Sequence, residues 1–89
     1  MDELMGTVKL FAFHFVPDRW LPCDGRLLPI DTSQQDLNTI MFGLLGSAYG
    51  GDGRTNFALP NLAPVQTVDG VPMQYCICME GLFPQQPRA

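Results

Sequence analysis

The sequence predicts an α+β fold: a small, mainly antiparallel β domain with one short helix and long ordered loops. Three observations predict it. Residues 6–15 and 73–80 alternate in the period-two pattern of strands. A single stretch, residues 32–46, carries a helical apolar stripe. No strand–helix–strand alternation recurs, which sets a parallel α/β architecture aside. The chain has 89 residues, the length of one domain, so residues 1–89 are expected to fold as a unit.

The first strand is expected in "GTVKLFAFHF". Val8, Leu10 and Ala12 share one face, and Thr7, Lys9, Phe11 and Phe13 the other. Large apolar groups on both faces predict that both are covered. Pro17 ends the segment, because proline donates nothing to a ladder. Next, "WLPCDGRLL" reads as a hairpin, residues 20–23 against 26–28, turning at Asp24-Gly25; Asp-Gly supplies the positive φ angles that a two-residue turn needs.

The helix follows. Leu37, Ile40, Met41, Leu44 and Leu45 fall at i, i+3, i+4, i+7 and i+8, one stripe of an amphipathic helix. Thr32 or Ser33 is the expected cap, with Asp36 three residues after Ser33 as a capping-box variant. Gly46 is the expected terminator, and Gly43 inside the helix suggests a close packing contact. "TNFALPNLAPV" reads as extended, since Pro60 and Pro64 prevent a helix. Asp69-Gly70 marks a turn. "MQYCICME" then alternates, with Met73, Tyr75, Ile77 and Met79 on one face. It is expected to pair with the first strand. Residues 81–89 read as an extended tail.

Composition points to association. Hydrophobic residues make up 46% and charged residues 16%, against about 25% charged in an average domain. So little charge leaves apolar surface to be buried against other chains. A homo-oligomer is therefore expected. The net charge is −4 and the five basic residues are scattered, which excludes the clustered Lys and Arg of a nucleic-acid footprint. No apolar run approaches the ~20 residues of a membrane-spanning helix. Asp2 and Glu3 stand where a secretory signal would be positive, so synthesis in the cytoplasm without a signal peptide is expected.

The chemistry-bearing residues are sparse. In "SAYGGDGRTNFALP", Gly50, Gly51, Asp52 and Gly53 follow the helix, whereas a phosphate cradle precedes one. A calcium loop needs several acids, and this one has Asp52 alone. The loop reads as compact backbone that lets Tyr49 and Phe57 reach a common core, with Arg54 at the surface or bridging to an acid. His14, Cys23, Cys76 and Cys78 form a four-ligand set on paper, but buried reduced thiols are the commoner outcome. No nucleophile is paired with a base. No catalytic residue, cofactor site or metal site is assigned.

The order of these motifs is itself recognisable. "LFA" is followed by Pro17, Trp20, Cys23-Asp24-Gly25, Leu28 and Ile30. Then come Leu44-Leu45-Gly46, Tyr49 through Gly53, Thr55, Phe57 and Leu59-Pro60. Over about residues 6–62 the chain resembles the phage tail collar domain, a pattern also found in bacterial microcystin-dependent-protein-like chains. "MQYCICMEGLFPQQ" looks like the family's C-terminal strand. Longer relatives carry a variable region before that strand, which in short tail fibres builds a metal-holding receptor-binding head. Only residues 63–72 stand there in this chain, and no His-x-His occurs, so receptor and metal binding are not carried over.

The resemblance implies a non-enzymatic structural and assembly module, self-associating as a trimer or higher homo-oligomer, with other tail or fibre proteins as further partners. It implies no nucleic acid and no membrane span. Phe11, Phe13, Phe15, Trp20, Met73, Tyr75, Ile77 and Met79 are the residues expected to be shared between core and subunit contact. Cys23, Asp24, Gly25, Gly50, Gly51, Asp52, Gly53 and Pro60 are expected to hold the motif's shape. The alternative is a binding module for a cell-surface glycan or small hydrophobic ligand, through the loop of Asp52, Arg54 and Asn56. A virion, a phage-tail-like particle and a host role all fit the sequence.

Overall fold

A computed structural model describes residues 3–31, 33 and 36–85. It has six strands and one helix, the strands in two antiparallel sheets. They are β1 (Val8–Phe11), β2 (Trp20–Pro22), β3 (Leu27–Pro29), α1 (Leu37–Leu45), β4 (Asn56–Ala58), β5 (Val65–Gln66) and β6 (Pro72–Cys78). The α+β expectation holds.

β6 is the organising strand. On one side it pairs with β1, Val8 opposite Ile77 and Phe11 opposite Gln74. On the other it pairs with β2 and, further along, with β5. The pairing of the first and last strands is as expected. The β5 partner was not foreseen: "VQ" before the Asp69-Gly70 turn forms a short hairpin with β6, closed by Gly70 at φ 84°. At the start of β1, Gly6 (φ 85°) and Thr7 together face Cys78, Gly6 N–H donating to its carbonyl and its own N–H donating to Thr7. This is a glycine bulge, which twists the strand as it enters the sheet.

The expected hairpin at Asp24-Gly25 is corrected. β2 joins β6, while β3 pairs with β4 in the second sheet. The turn therefore carries the chain from one sheet to the other. Gly25 adopts φ 79°, and a Cβ there would lie 3.0 Å from the Asn61 side chain. Its N–H donates to the carbonyl of the buried Pro60. A sequence-adjacent pair with a good turn between them lost to partners far along the chain, because β6 and β4 bring more apolar surface.

The core lies between β6 and the second sheet with α1. Met41, Phe57, Leu59 and Ile77 are fully buried there, with Met5, Cys23, Leu28 and Met79 nearly so. The helix contributes mainly through Met41, with Ile40, Leu44 and Leu45 partly buried and the Phe42 ring 5.6 Å from Phe57. Phe42 was not in the expected stripe, and Leu37 stays exposed. The cap is Asp36 rather than Ser33: its carboxylate accepts the Thr39 N–H at 2.8 Å. Ser33 instead donates to Asp31. Thr32, the other cap expected, lies outside the described residues. Gly46 ends the helix as expected, its N–H on the Phe42 carbonyl. Gly43 faces open space, so the close contact expected of it is not there.

β1 is the largest departure. The ladder covers four residues instead of ten, and Val8, Lys9 and Leu10 are all exposed. The two-sided cover that its sequence predicts is missing in the isolated chain.

Candidate interaction surface

Two features carry the family pattern, and they sit apart. The first is the glycine loop after α1. Asp52 turns back on its own backbone, accepting the N–H groups of Arg54, Thr55 and Asn56 and the Thr55 hydroxyl. The Asn56 side-chain oxygen accepts the Asp52 N–H at 2.9 Å. These bonds, led by the Thr55 hydroxyl, hold the Asp52 carboxyl far below the usual carboxylate range. Gly51 (φ 87°) has no room for a side chain: a Cβ would meet the Phe57 Cα at 2.6 Å.

The loop's polar groups thus serve the loop. It places Phe57 in the core at full burial, but Tyr49 is 54% exposed. The shared core position expected for Tyr49 is corrected. Arg54 is exposed, as expected.

The second feature runs along the outer side of the four-stranded sheet. Trp20 and Phe11 meet edge to face at 5.1 Å. Phe11 and Phe13 follow at 5.1 Å, and Phe13 stacks on Phe15 at 4.4 Å. Offset and edge-on contacts of this kind stabilise aromatic clusters beyond their buried area. Gln74 on β6 secures the far end, its amide donating to the Phe15 carbonyl. Phe11 and Trp20 are half-buried, while Phe13 and Phe15 stay 39% and 58% exposed. Of the other expected contact residues, Ile77 and Met79 are core, and Met73 and Tyr75 are half-buried.

On the opposite face of β1, Val8 and Leu10 are also exposed, as are Leu4, Leu82 and Phe83 near the start of the strand. Leu4 and Leu82 lie together, joined by a parallel bridge. The whole chain exposes 6248 Å², whereas a folded monomer of this mass is expected to expose about 5,200 Å². The radius of gyration is 14.1 Å, against about 12 Å for a compact chain of this length.

The thiols do not form a metal centre. No three His, Cys, Asp or Glu side chains converge among the described residues. Cys23, Cys76 and Cys78 are free and buried, and burial pushes the Cys23 thiol up to about 11. The hollow beside His14 is small, about 190 Å³, and lined by Phe13, His14, Pro64, Pro72, Met73 and Gln74. Ligand sites run from about 300 Å³ upward.

Comparison with protein families decides the relationship: residues 6–64 match the model of the Phage Tail Collar Domain. The chain belongs to the phage tail collar domain family. It is a structural module of phage tails, and the matched span runs from the bulge before β1 to the loop before β5. β6, on which the collar's first two strands depend, lies beyond that span. No characterised protein and no solved structure matched the chain.

Proposed function

We propose that this collar domain is a non-enzymatic assembly module that self-associates into a closed homo-oligomer, a trimer or higher. The observation that carries the reading is the surplus of exposed surface, 6248 Å² being roughly 1,000 Å² above the monomer expectation, together with the large apolar side chains left exposed on it. A standard interface buries about 800 Å² per partner. The ring ladder and the exposed side chains of β1 contribute to it, and β1 carries apolar groups on both faces as a covered strand does. Size-exclusion chromatography with light scattering tests the reading. An oligomeric mass at micromolar concentration is expected, and a monodisperse monomer would overturn it.

The ligand-binding alternative has less support. Asp52 and Asn56 direct their side-chain oxygens into the loop's own hydrogen bonds, which leaves Tyr49 and Arg54 as the loop's outward groups.

A further inference from the structure

The assembly reading leaves open how two copies touch, and the hydrogen-bond alternation of the four-stranded sheet narrows the choice. Cys78 exchanges backbone bonds with Gly6 and Thr7. From that pair the antiparallel alternation directs Lys9 and Phe11 toward β6, and Val8 and Leu10 away from it. Among the described residues nothing bonds the outward N–H and C=O groups of Val8 and Leu10.

The other edges are shorter or blunted. On β2 the outward positions are Trp20 and Pro22. The Trp20 N–H donates to the Pro17 carbonyl, and Pro22 has no N–H to give. β5 has only two residues. In the second sheet, the outward positions of β3 are Leu27 and Pro29, the latter a proline nitrogen. The outward groups of β4 are taken by the glycine loop, Ala58 N–H by Gly50 and the Asn56 carbonyl by Gly53. β1 is thus the longest open edge in the described fold, flanked along its length by exposed Leu4, Val8, Leu10, Phe13 and Phe15.

We propose that the β1 edge pairs antiparallel with β1 of a second copy, across a two-fold axis at Leu10. The inference rests on the self-association proposed above. A second copy fits because a two-fold axis sets the exposed Leu10 against itself and because the surplus area is of the size that one such interface consumes. Charge selects the register. An axis at Lys9 would set two ammonium groups face to face, which is destabilising across strands. An axis at Leu10 sets Lys9 opposite Phe11 of the partner subunit, a cation beside a ring. Lys9 enters that position already paired with Glu3, which weakens its usual role of guarding an edge. A two-fold contact makes the assembly even-numbered, so a trimeric collar would be doubled to a hexamer.

The test is Leu10→Pro. The Leu10 amide points away from β6, so proline leaves the Lys9 and Phe11 bonds intact, and an edge tolerates it. The variant should keep the wild-type circular dichroism spectrum while its mass by light scattering falls to half. A folded variant at wild-type mass overturns the pairing. Hydrogen exchange on wild-type protein supplies a readout free of any folding defect. The Val8 and Leu10 amides should exchange roughly tenfold more slowly or better than open edge amides, and unprotected exchange overturns the pairing. An odd-numbered wild-type mass overturns the β1 contact and leaves self-association standing. A wild-type monomer overturns both.

Discussion

At the scale of the residue, Gly51 and Asp52 divide the work of one loop. Gly51 is needed for its missing side chain, since φ 87° and a 2.6 Å approach to the Phe57 Cα exclude a Cβ. Gly51→Ala should destabilise the fold by at least about 2 kcal/mol, from left-handed strain and from backbone displacement behind a core phenylalanine. Urea denaturation measures it, and an unchanged midpoint would contradict the role. Asp52 is needed as an ionised acceptor. Its folded carboxyl titrates well below the unfolded value near 4, so its contribution is present above that pH and is lost as pH falls further. The Asp24 carboxyl is likewise lowered, first by the Arg26 side chain, and works in the same direction. The melting temperature should therefore fall below about pH 4. Asp52→Asn should flatten that acid slope, because an amide has no proton to take up. A slope identical to wild type would show that Asp52 is not its source.

At the scale of the element, the helix and β6 were legible in the sequence, and the β2–β3 region was not. The stripe Ile40, Met41, Leu44 and Leu45 has one period and one solution, and the core uses it. The alternation of residues 73–80 predicted a strand, and the ladder on it runs over Pro72–Cys78. "CDGR" looked like a local hairpin because Asp-Gly fits that turn. The same positive φ at Gly25 also serves a crossing between sheets, and turn chemistry alone does not choose between them. Local reading favoured the nearest partner, while the fold used Ile77 and Phe57, both far along the chain. The cap was displaced for a similar reason: Asp36, Ser33 and Thr32 are all competent acceptors, and tertiary packing sets where the first turn begins. Gly43 gives this scale its prediction. It lies inside α1 with no atom within 4 Å of a built Cβ. Gly43→Ala should stabilise the chain by about 1 kcal/mol through helix propensity. A loss of stability would mean that something packs on that face in the working form.

At the scale of the whole molecule, the sequence disclosed the family and the excess of apolar groups, but not which apolar groups stay outside. Eight residues were expected to serve both core and contact. Within the chain they separate, with Ile77 and Met79 inside, Phe13 and Phe15 outside, and Phe11, Trp20, Met73 and Tyr75 between. Period-two alternation could not make that division, because β1 is apolar on both faces and only the three-dimensional order β1–β6–β2 shows that it is an edge. A chain of 89 residues buries a core that is marginal by itself. If its own copies supply the missing cover, folding and association share free energy, and stability must follow mass action. The direct measurement is the melting temperature over a hundredfold range of protein concentration. The account predicts that it rises with concentration. A melting temperature independent of concentration, in a protein that sediments as a monomer throughout, would contradict it.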